Sequence, residues 1–228
     1  QLILLEPSKV ADVKMRIFNA DGGEVEACGN ATRCIALLMG QPANIETLGG
    51  VLHTEPGKAS ATVTLVPPAF DWELIPLAMP MDTRDMPVAW DELEHGAAVN
   101  VGNPHVIFFV ADNRTVELDR LGPEIEHDPL FPQRINVNVA TVESRERIRL
   151  RVWERGVGET RSCGTGTVAA TVAALRHTGA DTGSLRVVIP GGEVNVTITE
   201  STSFLRGPSV LLAQGELAEQ WWRDNSDA

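Results

Sequence analysis

Cysteine is scarce in this sequence, with three residues in a chain of 228. Three cysteines cannot all pair with one another, and the count fits a reducing cytoplasm better than the disulfide framework of a small secreted protein. Long apolar runs are missing as well, and no signal peptide precedes the first strand-like segment. We therefore expect a cytoplasmic protein that does not cross a membrane.

Basic residues are outnumbered, since 19 Lys and Arg stand against 31 Asp and Glu and leave a formal net charge of -12. This balance argues against nucleic acid or an anionic membrane as a partner. It does not exclude an anionic small molecule, because a local pocket can oppose the net field. No low-complexity tract interrupts the chain, and a hydrophobic content of 43% is enough for a packed core.

Short strand-like segments separated by Gly and Pro dominate the chain. These segments are 1–7, 13–18, 61–66, 98–102, 105–110, 147–153, 185–190, 193–199 and 209–215. Two segments differ, 28–40 and 163–179, because they are rich in Ala and Leu, begin with small polar residues and end at Gly. Those are helix start and stop signals. We predict an α+β protein in which Cys28 and Cys163 each begin a helix.

The surroundings of these two cysteines are repeated in the sequence. The stretch GGEVEACGNATRC at 22–34 has a close echo in VGETRSCGTGTVA at 157–169. A constant offset of 135 residues extends the match without a gap and pairs Arg16 with Arg151, Gly23 with Gly158, Glu24 with Glu159, Cys28 with Cys163, Gly29 with Gly164 and Thr32 with Thr167. With one residue of slip, 56–65 also matches 190–199. The sequence thus predicts a duplicated unit of strand, glycine loop, Cys-Gly, helix and β-hairpin, with Glu24 and Glu159 bracing the loops.

A Cys-Gly pair at a helix start has a specific chemical use. Free N–H groups and the positive end of the helix dipole favour the thiolate, and they also bind a carboxylate. Two such helix starts facing each other would hold one carboxylate and place a sulfur on each side of the adjacent carbon. A thiolate and a thiol in those positions can invert an α-carbon without pyridoxal phosphate or a metal. We therefore predict an epimerase or racemase with no cofactor.

Other interpretations of the cysteines remain open at this point. A duplicated structural module without chemistry would explain the repeat alone. A metal site is disfavoured by the spacing of the cysteines and the scattered histidines, and a redox dithiol lacks the C-x-x-C spacing. A Cys-His hydrolase would need one nucleophile and would leave the second copy unexplained. Cys34, six residues after Cys28, is predicted to lie in the core.

Four stretches, RIFNADGGEVEACGN, VGNPH, QRINV and ERGVGETRSCGTG, closely resemble the diaminopimelate epimerase family. The family comprises cofactor-independent isomerases of lysine and peptidoglycan biosynthesis, and the resemblance runs from Gln1 to about residue 217. It implies two pseudo-symmetric halves, each a mostly antiparallel, β-barrel-like sheet around a central helix, with the active site in the cleft between them. We expect a first half at 1–73 completed by a strand near 209–217, a second half at 74–208, and a returning strand and tail at 209–228.

The resemblance also implies a role for each matching residue. Cys28 and Cys163 would be the two catalytic bases, and the small-molecule substrate would be diaminopimelate. Backbone groups of Gly29, Asn30, Gly164 and Thr165 would hold the carboxylate at the reacting carbon. The distal end of the substrate would meet Asn19, Asn103, Asn136 and Arg155 at its carboxylate, Glu154 near its amino group and Gln1 in the same pocket. His105 would lie close to the thiols, and Arg155 can bind a carboxylate in bidentate fashion.

The sequence departs from the family pattern in two places. Ala31 stands where the family usually has Gly, which is harmless if that position is helical. The family also has a segment before the position of Gln1, and the first half is shorter than the second, so we expect a truncated sequence with impaired activity. The alternatives are therefore a proline, hydroxyproline or tricarboxylate isomerase of the same fold, and a fragment that only binds ligand. A homodimer and the role of the Trp pair in 219–228 stay open.

Overall fold

The computed structural model describes residues 1–19, 22–25 and 28–221. The first half of the chain contains β1 (Leu2–Glu6), β2 (Val13–Phe18), β3 (Glu24–Val25), α1 (Gly29–Met39), β4 (Ala43–Thr47), β5 (Gly50–Pro56) and β6 (Ser60–Leu65). The second half contains β7 (Met86–Trp90), β8 (Leu93–Asn100), β9 (Pro104–Phe109), α2 (Leu118–Glu126), β10 (Asn136–Ser144), β11 (Arg147–Glu154), β12 (Gly158–Thr160), α3 (Gly164–His177), β13 (Gly183–Ile189), β14 (Gly192–Ile198) and β15 (Ser203–Pro208). No helix in these ranges has the length and apolar character that a bilayer crossing requires.

The repeat predicted from the sequence is present as a repeated arrangement of strands. In the first half β2 pairs antiparallel with β1 and β3 and parallel with β4. In the second half β11 pairs antiparallel with β10 and β12 and parallel with β13. Each half then adds two antiparallel strands, β5 and β6 or β14 and β15. The duplicated unit is confirmed, with its helix between the third and fourth strands.

The match of 56–65 to 190–199 is wrong in detail. Pro56 ends β5 and precedes the β5–β6 turn, whereas Pro190 lies in the turn between β13 and β14. By strand order β6 corresponds to β15, so the two matched segments are not equivalent hairpins. The error arises because Pro-Gly turns and alternating strand patterns are common to unrelated hairpins.

The two halves join through their last strands. β6 pairs antiparallel with β15, and Val63 lies opposite Leu205 at the middle of this junction. The pairing creates one continuous sheet with the order β1-β2-β4-β5-β6-β15-β14-β13-β11-β10-β9-β8-β7. The sheet of the second half curves around α3, which contacts β8 to β11 and β13 to β15. The α+β architecture of two similar halves is therefore confirmed.

The halves differ in the size of their cores. Buried residues of the first half alone form a small cluster of Met15, Ile17, Ala31, Ile35 and Ile45. Two larger clusters involve the second half, one around α3 and one between α2 and β7 to β10. At the far edge of the sheet, β1 leaves Leu2 60% exposed and Leu5 44% exposed. The first half is thus the more thinly packed part of the chain described here.

The strand predicted at 209–215 is wrong. Residues 209–218 are irregular, those from 210 onward are exposed, and Leu212 keeps 92% of its surface accessible. The strand that joins the halves is β15, because its residues 203–208 have β6 and β14 as neighbours on either side. Residues 219–221 are helical, and Trp222, the second member of the Trp pair, lies outside the described residues. The division at residues 73 and 208 stays a prediction.

Candidate active site

The two helix starts meet at a pair of glycines. Cys28 and Cys163 are the N-cap residues of α1 and α3, and both have extended backbones. A Cβ atom built on Gly164 would lie 3.3 Å from the Cα of Gly29, and one built on Gly29 would lie 3.7 Å from the Cα of Gly164. Leu205 of β15 lies beneath both, since either Cβ would come within 3.2 Å of its Cδ2. The N-termini of α1 and α3 therefore face each other at backbone distance.

The two thiols have different surroundings. All three cysteines are free thiols, and Cys163 is only 4% exposed whereas Cys28 is partly exposed. The N–H of Gly166 donates to Sγ of Cys163 over 3.4 Å, and Oγ1 of Thr165 lies 3.5 Å from the same sulfur. Burial, followed by the charge of Glu154, raises the pKa of Cys163 far above its usual range. Burial also raises the pKa of Cys28, and the N–H groups of Ala31 and Asn30 oppose that rise.

The remaining predicted site residues of the second half collect at one end of its sheet. Asn103 and His105 flank the start of β9, Asn136 begins the parallel β10, and Glu154 ends the antiparallel β11, with Arg155 next to it. Because parallel strands start at the same edge and an antiparallel neighbour ends there, the topology brings these five residues together. Cys163 comes three residues after the end of β12 and lies close to Glu154.

His105 is fixed by amide side chains in a buried network. Nδ2 of Asn138 donates to the carbonyl of Val106 and approaches Nδ1 of His105 at 3.1 Å, so Nδ1 is the acceptor. The proton of the neutral ring is then on Nε2, which donates to Oδ1 of Asn103 over 3.0 Å. This bond leaves the amide NH2 of Asn103 available to a ligand. The structure places His105 against Asn103 and Asn138, and no hydrogen bond joins it to a thiol in the described ranges.

Asn136 and Arg155 are also connected. Asn136 is 3% exposed, accepts the backbone N–H of Arg155 at 3.0 Å and donates to the carbonyl of Pro104 at 2.8 Å. Its amide therefore positions the neighbouring chain, and its direct contact with substrate stays a prediction. The guanidinium of Arg155 donates to the carbonyl of Gln133 and has no carboxylate partner among the described residues. Arg155 and Asn103 line a cavity of about 350 Å³ together with Gln133 and Asn100.

Predicted residues of the first half make two further sets of contacts. Nε2 of Gln1 donates to Oδ1 of Asn19 over 3.0 Å, which brings these two predicted residues together. Asn30 joins the two halves, because its Nδ2 donates to the carbonyl of Ser162 at 2.9 Å and to Oγ of the same residue at 3.0 Å. The start of α1 is thereby tied to the residue before Cys163.

Glu154 lies beside the thiols. Its carboxylate accepts a short hydrogen bond from Oγ1 of Thr160 and interacts with both Cys163 and Cys28. Its predicted contact with the distal amino group of a substrate therefore stays a prediction, whereas its position next to the sulfur atoms is a feature of the fold.

Two predictions about neighbouring residues have clear outcomes. Glu24 and Glu159 are bracing residues, as predicted, because each binds the equivalent arginine of its own half, Arg16 or Arg151, through two hydrogen bonds. The core position predicted for Cys34 is wrong. Its side chain is exposed, because it lies with Leu38, one turn further along, on the outer face of α1. Ala31 lies inside α1 and needs no left-handed backbone.

Sequence reasoning missed three residues that shape the site. Arg33 is buried in α1, Leu205 lies beneath both helix starts, and Ser162 accepts the bonds from Asn30. A charged residue within the otherwise small and apolar face of α1 was a signal for Arg33. No local pattern marks Leu205, because its role depends on the pairing of β15 with β6.

A second cavity of about 410 Å³ lies at the other end of α3. Its walls include Phe70, Phe109, Arg176 and His177, and it contains none of the predicted site residues. Although it is larger than the cavity at Arg155, the chemistry-bearing side chains are at the helix starts.

Comparisons with known proteins agree with this geometry. The family model described as diaminopimelate epimerase matches residues 1–65 and 97–212. A diaminopimelate epimerase of Sphingopyxis alaskensis is 66% identical over 194 residues, which cover 85% of this chain and 72% of that protein. One from Rhizorhabdus wittichii is 62% identical over 196 residues, covering 86% of this chain and 71% of the relative.

The fold extends to more distant proteins. The crystal structure of a hydroxyproline epimerase from Agrobacterium vitis, with bound trans-4-hydroxy-L-proline, superposes with a TM-score of 0.66 at 18% identity, over 90% of this chain and 71% of that one. At that identity the likeness concerns the fold alone. The family match and the two relatives carry the assignment, and the chain belongs to the diaminopimelate epimerase family.

Proposed function

We propose that this protein is an isomerase that converts LL-2,6-diaminopimelate to meso-diaminopimelate, a step of lysine and peptidoglycan biosynthesis. The observation that carries the proposal is the approach of two cysteine-capped helix starts at Gly29 and Gly164. The family membership of the chain names the substrate, and the geometry accounts for the reaction.

The helix starts supply the site for the reacting carboxylate. Backbone N–H groups at Gly29, Asn30, Gly164 and Thr165 have no carbonyl partner within their own helices, because the first turn of a helix leaves its N–H groups free of such bonds. Both helix dipoles direct their positive ends to the same point. A carboxylate bound there gains negative charge as the α-proton leaves, and donors already in place stabilise that charge.

The two sulfur atoms perform the proton transfers. One cysteine, as thiolate, removes the proton from one face of the α-carbon, and the other, as thiol, delivers its proton to the opposite face. The S–H bond formed at the first sulfur replaces the C–H bond broken there, so each turnover exchanges the roles of Cys28 and Cys163. The chemistry requires no electron acceptor and no group carrier.

The distal end of the substrate accounts for Arg155 and Asn103. Diaminopimelate carries a second carboxylate, and Arg155 offers a guanidinium whose donors are not used by a carboxylate of the described chain. The amide NH2 of Asn103 lies in the same cavity. Proline has no distal carboxylate, so Arg155 favours the longer substrate over the one bound by the hydroxyproline epimerase of similar fold.

Exchange of the α-hydrogen tests this proposal directly. The protein is incubated with LL- or meso-diaminopimelate in D2O under reductant, and deuterium at the α-carbon is measured by mass spectrometry. We expect incorporation with the parent chain, its loss in Cys28→Ser and in Cys163→Ser, and its retention in the matched control Cys34→Ser, because Cys34 is exposed on the outer face of α1. Binding without exchange, exchange in both single variants, or exchange with proline instead of diaminopimelate would contradict the proposal.

A further inference from the structure

Asn138 is a buried amide of β10 whose orientation is fixed by its neighbours. Its side chain has no exposed surface. Its Nδ2 lies 2.9 Å from the carbonyl oxygen of Val106 and 3.2 Å from that of Asn136. Carbonyl oxygens only accept hydrogen bonds, so the atom that faces both of them must be the amide nitrogen. The reversed amide would place its own oxygen against two others.

This orientation has a cost that the repeat avoids in the first half. Oδ1 of Asn138 is buried without a hydrogen-bond partner among the described residues, and a Cβ built on Gly166 of α3 would lie only 2.9 Å from it. An unsatisfied buried oxygen destabilises the fold. With the offset of 135 residues, Asn138 corresponds to Ile3, which packs against the apolar cluster of the first half. The strand position therefore accepts an apolar side chain, and the amide at 138 needs a reason specific to the second half.

The third neighbour of the Asn138 nitrogen is the ring of His105. Nδ2 lies 3.1 Å from Nδ1 of that ring. An amide nitrogen cannot accept a hydrogen bond, so Nδ1 carries no hydrogen toward it. The ring has no exposed surface, and burial favours its neutral form with a single N–H. Asn138 therefore leaves Nε2 as the nitrogen that carries the proton.

The tautomer of His105 in turn determines how Asn103 is oriented. Nε2 donates to Oδ1 of Asn103 over 3.0 Å, which leaves the NH2 group of Asn103 as the donor it can offer to the cavity that it lines with Arg155. With the proton on Nδ1, Nε2 would be an acceptor, and Asn103 would turn its NH2 group to the ring and its oxygen to the cavity. One proton position thus decides whether this wall of the cavity presents a donor or an acceptor.

We propose that Asn138 is a positioning residue that holds His105 in the Nε2–H tautomer, directs the NH2 group of Asn103 into the cavity at Arg155 and so favours ligands with a carboxylate there. The inference rests on the proposed function for the identity of the ligand. It adds a residue that determines specificity without touching the ligand, since Asn138 is fully buried. An amide oxygen in place of the NH2 group would repel the second carboxylate of diaminopimelate.

The tautomer is measured without ligand. In protein labelled with ¹⁵N in its histidines, long-range proton–nitrogen NMR spectra distinguish the protonated ring nitrogen from the other one, and His105→Gln identifies the signals of His105. We expect the Nε2–H tautomer in the parent chain and in Asn103→Ala, because both retain Asn138. Asn138→Asp replaces the donor by an acceptor and should move the proton to Nδ1, whereas Asn138→Leu should populate both tautomers. An Nδ1–H tautomer in the parent chain, or the Nε2–H tautomer alone in both Asn138 variants, would overturn the proposal.

Calorimetric affinities for diaminopimelate and for lysine, which lacks one of its two carboxylates, test the consequence for binding. The preference for diaminopimelate over lysine should fall about tenfold or more in Asn138→Asp, because a hydrogen bond to a charged group is lost, and by a smaller factor in Asn138→Leu. A preference equal to that of the parent chain in both variants would overturn the proposal. A parent chain that does not bind diaminopimelate would contradict the proposed function, whereas the ligand-free spectrum decides independently whether Asn138 sets the tautomer.

Asn113 provides the matched control. Its side chain is also fully buried, its Nδ2 donates to the carbonyls of Val139 and Arg149 at 3.0 Å each, and its Oδ1 has no partner among the described residues. Asn113→Asp makes the same substitution in a similar environment without a hydrogen bond to His105. It should leave both the tautomer and the ligand preference as in the parent chain, and an effect equal to that of Asn138→Asp would show that any buried carboxylate has the same result.

Discussion

His105 illustrates how much of the site is determined by single buried side chains. It has no exposed surface, and burial, only partly opposed by the bond from Asn138, lowers its pKa to about 3. The ring is therefore neutral under physiological conditions, with its tautomer set by Asn138 and its remaining proton directed to Asn103. A histidine in this state orients an amide, and it does not supply a proton in the reaction.

The same burial predicts a pH dependence of stability. The folded-state pKa of His105 lies below the ordinary value of 6.5. Between those values the unfolded chain binds a proton that the folded chain does not, so stability is complete above pH 6.5 and decreases as the pH falls. The decrease is about 1.4 kcal/mol per pH unit, or about 2 kcal/mol between pH 6.5 and 5.

Urea unfolding at pH 7 and pH 5 measures this effect. His105→Gln should lose less stability on acidification than the parent chain, by about 2 kcal/mol. The surface variant His53→Gln is the matched control and should lose as much stability between pH 7 and pH 5 as the parent chain. If the parent chain and His105→Gln lost the same free energy of unfolding between pH 7 and pH 5, His105 would not be the source of this pH dependence.

At the scale of the element, the close approach of α1 and α3 requires glycine at the first position of each helix, because a side chain there would clash with the other helix. A methyl group on Gly164 would lie 3.1 Å from Cδ2 of Leu205 and 3.3 Å from the Cα of Gly29, closer than most real contacts. The Leu205 side chain can move, but the backbone of α1 cannot move without displacing Cys28. Alanine at this position would therefore separate the helix starts by a few tenths of an ångström.

Gly164→Ala should reduce kcat about tenfold or more, because small misplacements of catalytic groups are costly. The thermal midpoint should change little, since alanine is the better helix former and offsets part of the strain. Steady-state kinetics and a thermal scan give both values, with Gly215→Ala in open space as the control. Full recovery of kcat in the double variant Gly164→Ala, Leu205→Ala would show that the contact with Leu205, and not the approach of the helices, causes the loss of kcat.

The elements differ in how well local sequence predicts them. α1 and α3 were predicted within a residue or two of their ends, because small polar residues and Gly mark both termini. α2 was not predicted, since Gly122 and Pro123 interrupt its pattern, and the burial of Leu118, Leu121 and Ile125 stabilises it. The strand expected at 209–215 had a short apolar run ending at Gly, but such a run does not indicate whether a neighbouring strand is available.

At the scale of the whole molecule, the repeat provides an internal comparison. Arg16–Glu24 and Arg151–Glu159 are equivalent ion pairs in equivalent strands. Arg151 additionally donates to the carbonyls of Asn113 and Val116 at 2.7 and 2.8 Å, which ties β11 to the segment before α2. Arg16 lies in the thinly packed half and has no such bonds to backbone carbonyls among the described residues.

Arg151→Gln should therefore destabilise the protein by about 2 kcal/mol, from the loss of hydrogen bonds made by a charged donor. Arg16→Gln should have a smaller effect, because exposed ion pairs contribute little. Urea unfolding of the two variants side by side measures the difference. An equal loss in both would mean that the additional bonds of Arg151 do not contribute to stability.

The site could be predicted only in part, for a reason that concerns the whole fold. The repeat and the family resemblance indicated Cys28, Cys163 and the amides around them, because those residues are in recognisable local stretches. The effect of Glu154 on Cys28 could not be predicted, because the two residues lie in different halves, which the pairing of β6 with β15 joins. Asn136 and Glu154 likewise have partners that spacing alone does not reveal.

The pairing of β6 with β15 makes the junction between the halves self-complementary, like an isologous contact between two identical subunits. In a true homodimer every substitution appears twice, once on each side of the two-fold axis, so two facing thiols keep identical surroundings. A single chain that contains both halves is released from that restriction. With the offset of 135 residues, its halves differ where Arg33 corresponds to Val168 and Asn19 corresponds to Glu154. Covalent fusion therefore permits what exact two-fold symmetry forbids, namely two facing thiols with different surroundings.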